Sequence, residues 1–255
     1  MFIFEGPASV GKTLFAKVIT EILALPLIEL QGSSISNLNE FIDKIESLPQ
    51  IYEYIEIVQR EGQSELLIYP PHIIFIDEAH LLKKPIQEAL LTATEPQQRS
   101  ILLGDRVLST EKVTFILATT DIGKLVEAFR TRALIIPLKD YTENEIIEII
   151  KLDSNMRKID DRVLLLLAKA GRMVPRDIKK KIENLTLIIQ QEKKLNFDSF
   201  NIENMINIMK NEWRMNEDGL TEDDIRYLKK LSEFDRPIGL NNMVDYLRIS
   251  QTTIE

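Results

Sequence analysis

Five short apolar runs punctuate the first half of the chain: Phe2 to Phe4, Leu27 to Leu30, Ile73 to Ile76, Val113 to Ala118 and Leu134 to Leu138. Amphipathic and polar stretches separate them, and this alternation predicts a parallel α/β sheet with helices on both faces. Apolar positions Leu14, Phe15, Val18, Ile19 and Ile22 mark a helix after the first run. Helical spacing also covers Asn37 to Leu48, with a second such stretch through Ile57, and the charged segment Gln59 to Glu65 reads as a loop. Between Gln98 and Lys112, apolar segments flank Gly104-Asp105, which predicts a hairpin with Leu102, Leu103, Val107 and Leu108 as candidate core residues.

After Asp140 the strand pattern stops and helices alone follow. Thr142 heads Glu143 to Leu152, Asp160 heads Val163 to Ala170, and Pro175 opens a run to about Glu192. Composition shifts again near Asn216 to Gly219. Thr221 then caps a helix from Glu222 to about Glu233, and a Pro237/Gly239 turn precedes a short helix from Met243 to Leu247. The expected organisation is a nucleotide-binding domain over 1–139, a helical domain over 140–214 and a small third module over 215–255.

A chain of 255 residues with 44% hydrophobic content can bury sizeable cores. Zero cysteines exclude disulfides, thiolate zinc sites and thiol catalysis, and His72 and His80 are the only histidines. The net charge of −8 argues against a broad basic surface wrapped by nucleic acid, while leaving room for a local basic strip. No run is apolar and long enough to cross a bilayer and no signal-peptide pattern opens the chain, so the expected location is cytoplasmic, without membrane partners.

The chemistry begins at Gly6, Pro7, Ala8, Ser9, Val10, Gly11, Lys12 and Thr13, which spell GPASVGKT, with Leu14 opening the helix behind them. In such a loop glycines let the backbone approach phosphate, the lysine reaches the β- and γ-phosphates, the Thr hydroxyl binds Mg²⁺, and the helix offers its positive end. Downstream, Ile73 to Ile76 deliver Asp77 and Glu78 to a strand end, where Asp77 is a Mg²⁺ ligand and Glu78 orients the attacking water. The strand Val113 to Ala118 ends in Thr119 and Thr120, either of which could reach the γ-phosphate or that water. Arg130 and Arg132 precede the last strand, where an arginine would face a neighbouring subunit's nucleotide. Arg176, behind Pro175, opposes its helix dipole unless an anion such as ATP phosphate compensates it.

In this order these residues resemble an AAA+ ATPase, and in detail the RuvB family of Holliday-junction branch-migration motors. The resemblance is carried by GPASVGKT at Gly6, IIFIDEAH at Ile73, LATTD at Leu117, FRTR at Phe129 and VPRDIKKKIENL at Val174. It continues through GLTEDDIRYLKKL at Gly219 and RPIGLNNMVDYL at Arg236. It implies an AAA+ parallel-sheet domain, an all-helical lid and the opening of a winged-helix module. Lys12 and Thr13 would be Walker A, Asp77 and Glu78 Walker B, Thr119 or Thr120 sensor 1, Arg132 the arginine finger and Arg176 sensor 2.

The family relation further implies an ATP- and Mg²⁺-dependent hexameric ring that moves DNA together with a junction-binding protein. The adenine-holding stretch ahead of Walker A and the DNA-reading part of the winged helix are expected to be absent, and 50–71 to be an addition. Two readings compete. One is a clamp-loader-like or regulatory AAA+ subunit that remodels a protein partner; the other is an interaction module that binds ATP but seldom hydrolyses it. The string DEAH at Asp77 also occurs in superfamily 2 helicases, but those need a second α/β domain, which the helical region after Asp140 does not supply. His80 is expected to pack or hydrogen-bond beside the motif.

Overall fold

The structure, a computed structural model, describes residues 1–46, 56–58, 66–68, 71–103, 106–192, 195–234 and 237–247. It divides into two compact units, Met1–Asp140 and Tyr141–Glu255.

In the first unit, β1 (Phe2–Glu5), β2 (Leu27–Gln31), β5 (His72–Asp77), β8 (Val113–Thr119) and β9 (Leu134–Pro137) form one sheet in the order β2-β5-β8-β1-β9. Every pairing in it is parallel. The expected runs coincide with these strands to within a residue at each end; β5 and β8 are buried and nearly unbroken in their apolar pattern, while β2 at the edge alternates, with Glu29 and Gln31 exposed. Along β5, Ile74 and Ile76 face a core containing Phe41, Ile86, Leu90 and Phe115. Ile73 and Phe75 face a second core with Phe4, Ala16 and Ile116.

Among the described residues, the helices that accompany the sheet are α1 (Lys12–Leu23), α2 (Leu38–Glu46), α3 (Lys84–Ala93) and α4 (Glu127–Arg132). Helix α1 forms where its periodicity predicts, yet it buries Lys12, Ala16 and Thr20 instead of its large apolar residues. Leu14, Phe15, Val18 and Ile22 stay exposed, with Ile22 at 77%. Small side chains on the sheet side let the helix sit close to the strands.

A second sheet has the order β3-β4-β7-β6, built from β3 (Glu56–Val58), β4 (Leu66–Ile68), β6 (Ser100–Leu103) and β7 (Arg106–Ser109). Strands β6 and β7 make the expected antiparallel hairpin, and β4 pairs with β7 in parallel. The hairpin's Gly104-Asp105 turn and the stretch Gln59 to Glu65 lie outside the described residues. The expected helix through Ile57 is corrected: Glu56–Val58 is a strand, held by antiparallel pairing to β4 rather than by its own periodicity. Leu102 is exposed, whereas its neighbour Ile101 enters the core.

The second unit holds α5 (Glu143–Ile150), α6 (Asp161–Ala170), α7 (Pro175–Gln191), α8 (Ile202–Asn211), α9 (Glu222–Leu231) and α10 (Leu240–Leu247). Thr142 and Thr221 close capping boxes with Glu145 and Asp224, and Asp160 accepts from the Arg162 N–H. Helix α8 has its own box between Asn201 and Asn204. Ile146, Leu164, Leu167, Ile178, Leu185 and Met205 fill this unit's core. The segment after Met215 is tied back onto α6 and its C-terminal turn: Asp218 pairs with Lys169 and Asp224 with Arg172.

Candidate nucleotide site

The site begins with backbone geometry. The turn leaving β1 puts Ser9 at φ 66° and Gly11 at φ 88°, and α1 starts at Lys12. Consecutive left-handed and helical residues curl N–H groups inward into a concavity that suits an anion. Among the described residues no side chain caps Gly11, and the first turn of α1 carries no acidic residue. The helix's initial N–H donors are therefore left to an external acceptor.

Lys12 is 8% exposed, and its Nζ donates to the carbonyls of Gly6 at 2.8 Å and Pro7 at 2.6 Å. Burial pushes its pKa down, and the nearby Asp77 carboxylate pulls in the opposite direction. Two of the ammonium's three N–H donors are thus committed to loop carbonyls, and a bound phosphate would compete with those carbonyls for them.

Strand order decides what meets this loop. Strand β8 lies between β1 and β5, so the polar end of β8 separates the phosphate loop from the carboxylates. The Gly6 N–H donates to the Thr119 carbonyl at 3.2 Å, fixing the loop to that strand. Thr13 Oγ1 donates to Asp77 Oδ2 at 3.3 Å, while Asp77 Oδ1 accepts from the Glu78 N–H at 2.9 Å. Glu78 itself sits at φ 50°, an uncommon conformation for a residue with a side chain, and a short 3-10 turn, Ala79–Leu81, follows.

The two threonines differ. Thr119 is fully buried, its hydroxyl pairing with His80 Nδ1 at 3.1 Å and accepting from the Asp121 N–H at 3.0 Å. Thr120 is exposed. His80 thus bridges the carboxylate turn to the neighbouring strand end.

Two glycines have tertiary reasons that the motif alone did not reveal. A Cβ on Gly6 would lie 2.2 Å from the Leu138 carbonyl oxygen, so this glycine admits the end of β9 as well as any phosphate. Gly32, missed in the sequence, follows β2, and a Cβ there would lie 2.4 Å from the Glu78 carbonyl oxygen. Its only sequence signal is a lone glycine just past a strand end.

The remaining candidates lie elsewhere. Arg132 ends α4 two residues before β9, and β9 starts level with Phe2, whereas the phosphate loop leaves β1 after Glu5. Arg132 therefore stands at the opposite end of the sheet, at least about 10 Å along the strand direction from its own phosphate loop. There it pairs loosely with Glu95, at 3.7 Å. Arg176 is exposed in the first turn of α7 in the second unit, where the adjacent Asp177 already complements the helix dipole.

Among the described residues, no group of three or more acidic, His or Cys side chains could by itself hold a metal ion. One hydroxyl and one carboxylate are what Mg²⁺ needs when phosphate oxygens and water complete its shell, so Thr13 and Asp77 fit a magnesium nucleotide.

A phosphate loop on an inner parallel strand, with an acidic pair two strands away, defines the class: a P-loop nucleotide-binding ATPase. Within that class, the chain belongs to the ATPase family associated with various cellular activities (AAA), whose model matches residues 2–140. The similarity to named relatives runs through both units. The chain is 28% identical to the Holliday junction branch migration complex subunit RuvB of Phytoplasma mali, over 98% of this chain and 71% of that protein. It is 25% identical to the RuvB of Thermotoga maritima, over 99% of this chain and 72% of that protein. A solved structure of Thermotoga maritima RuvB, described as a Holliday junction branch migration motor, superposes with a TM-score of 0.70. It shares 25% identity and covers 99% of this chain and 76% of its own.

Proposed function

We propose that this chain is the subunit of a RuvB-like ATP-driven motor that acts on DNA, at four-way junctions or related recombination and repair intermediates. The observation that carries the reading is similarity to RuvB proteins over almost the whole chain, the helical unit included. ATP is the nucleotide and Mg²⁺ its ion, the latter held by Thr13 and Asp77 and supplying charge neutralisation at the phosphates. Lys12 and the N–H groups of the loop bind the β- and γ-phosphates, Glu78 orients and polarises the attacking water, and Thr120 is the threonine free to sense the γ-phosphate.

Arg132 acts on the nucleotide of a neighbouring copy, which its place across the sheet from its own phosphate loop supports. Arg176 reports nucleotide state to the helical unit, here the lid over 140–214, and residues 215–255 begin a winged-helix module. The assembly is a hexameric ring working with a junction-binding protein. Among the described residues no helix is long and apolar enough to cross a membrane, and we place the protein in the cytoplasm.

The test is steady-state ATP hydrolysis against protein concentration, with and without duplex or four-way-junction DNA, using Glu78→Gln as the blank. Activity per subunit that climbs with concentration and climbs again with DNA supports the motor. Concentration-dependent hydrolysis indifferent to DNA and stimulated by a protein would move the assignment to a partner-remodelling AAA+ role.

A further inference from the structure

The second unit contains a cleft of about 420 Å³ that shares no residue with the phosphate-loop site. Its polar lining is dominated by Arg172, Lys180, Lys181, Asn184 and Trp213, and the only carboxylate among the lining residues is Asp177. Two of the three cations are ion-paired, Arg172 to Asp224 and Lys180 to Asp177, so Lys181 carries the cleft's uncompensated positive charge, on a chain whose formal net charge is −8. The volume lies within the range of small-ligand pockets.

The side chains are already arranged. Lys181 Nζ stands 4.4 Å above the centre of the Trp213 ring. Trp213 Nε1 donates to Asn184 Oδ1 at 2.7 Å, which turns the Asn184 amide so that its NH₂ donors remain for something else. Lys180 pairs with Asp177 at 2.8 Å, and Arg172 uses one terminal nitrogen on both oxygens of Asp224, at 3.1 Å each. Among the described residues, Lys181 has no carboxylate within ion-pair distance. Its ammonium is partly desolvated, and burial lowers its pKa.

The walls are also strained. Arg172, Met173 and Arg214, which flank the cleft, have φ of 53°, 59° and 52°. Gly171 is pressed so close to α7 that a Cβ would come 2.4 Å from Ile178 Cγ1. Left-handed conformations at residues with side chains are uncommon and recur at ligand-binding sites.

A half-buried indole with the Lys181 ammonium over one ring face, that ammonium having no carboxylate partner among the described residues, and the amide donors of Asn184 match a ligand with one flat face and one anionic group. An acidic peptide would use the cations and leave the indole idle; a nucleoside phosphate uses both. From this geometry we infer that the cleft around Lys181 and Trp213 binds a phosphorylated nucleoside unit, either free or within a single strand of nucleic acid. The inference does not depend on the motor reading, and its test does not use ATP hydrolysis.

Trp213 is the sole tryptophan of the chain, so intrinsic indole fluorescence reports on this site alone. The full chain is titrated with thymidine monophosphate, with a short oligothymidylate and with an acidic peptide. The expected result is saturable quenching by a nucleotide probe. If the oligothymidylate binds much more tightly, the source is a strand; equal affinity for the two assigns the free nucleotide. For a strand, one phosphate held by the Lys181 ammonium gives a slope of log affinity against log salt of about −0.7. Lys181→Gln, and the exposed Lys180→Glu that spares the core, should each weaken binding about tenfold. Lys12→Ala should leave the response unchanged. No saturable quenching by either nucleotide, quenching by the acidic peptide alone, full binding in both lysine variants, or loss of the response in Lys12→Ala would each overturn the assignment.

Discussion

Replacing Gly32 by alanine tests whether Glu78, the carboxylate proposed to orient the attacking water, is positioned by backbone packing from the neighbouring strand. The added Cβ would lie 2.4 Å from the Glu78 carbonyl oxygen, 3.0 Å from its carbon and 3.2 Å from the Asp77 carbonyl oxygen. Ordinary contact begins near 3.4 Å, so the two backbones must separate by about 1 Å at the tightest point. Glu78 has little freedom to absorb this quietly, because it already occupies φ 50° and its N–H is committed to Asp77 Oδ1. A displacement of about 1 Å at a positioned group costs on the order of 10² in rate, and overpacking costs about 1–3 kcal/mol of stability. The loop from Gly6 to Thr13 is untouched, so nucleotide affinity should hold within about threefold. The assay is phosphate release at saturating ATP, paired with binding of a fluorescent ATP analogue and a melting curve. Gly239→Ala serves as the control, since a Cβ there meets nothing within 4 Å. If Gly32→Ala melts earlier but keeps kcat within twofold of the parent, the strain is taken up by 32–34 and the argument that Gly32 positions Glu78 is wrong.

Two further outcomes follow from specific contacts. Thr120→Val should lower kcat about 10²-fold with little change in melting, whereas Thr119→Val, which leaves His80 and the Asp121 N–H without their buried partner, should cost about 1–3 kcal/mol of stability; phosphate release and calorimetry separate the two. Asp160 has its pKa lowered to about 2, chiefly by the Arg162 side chain and then by the Arg162 N–H. A depressed carboxylate stabilises the fold above its unfolded value near 3.8 and loses that contribution as pH falls through about 2, so carbon NMR titration of Arg162→Ala should move the Asp160 midpoint upward.

The sheet was legible because its central strands β5 and β8 are buried and nearly unbroken apolar runs and its edge strands are short apolar-rich segments bounded by polar residues, and the phosphate loop because its spacing is chemically exacting. What escaped depends on contacts distant in sequence. Strands β3 and β4 have three residues each, too few for any period, and exist because β4 pairs with the hairpin. The choice between Thr119 and Thr120 turns on where His80 lies, thirty-nine positions upstream of Thr119. The exposure of α1's large residues could not be read from a spacing that any amphipathic helix would share. Helix α8 was a different kind of miss: Asn201, Asn204 and the spacing Ile202, Met205, Ile208 and Met209 were a readable cap and face.

The placement of Arg132 leads to the last prediction. Because Leu134 is level with Phe2 and Pro137 with Glu5, the end of α4 and the phosphate loop occupy opposite ends of the same pair of strands. A side chain cannot cross the sheet's length, and moving Arg132 to its own loop would mean unpairing β9. Under the proposed ring, the arginine of one copy completes the site of the next, so Arg132→Ala and Lys12→Ala should each bind partners but hydrolyse ATP at least about 10³-fold more slowly. Mixed one to one, they should recover activity. An Arg132→Ala subunit keeps its phosphate loop, a Lys12→Ala neighbour supplies the missing arginine, and random closure leaves about one interface in four intact. Recovery that rises with mixing time, as subunits exchange, is the expected signature. If the mixture stays as inactive as either variant while native gels show that mixed assemblies have formed, Arg132 does not act across an interface.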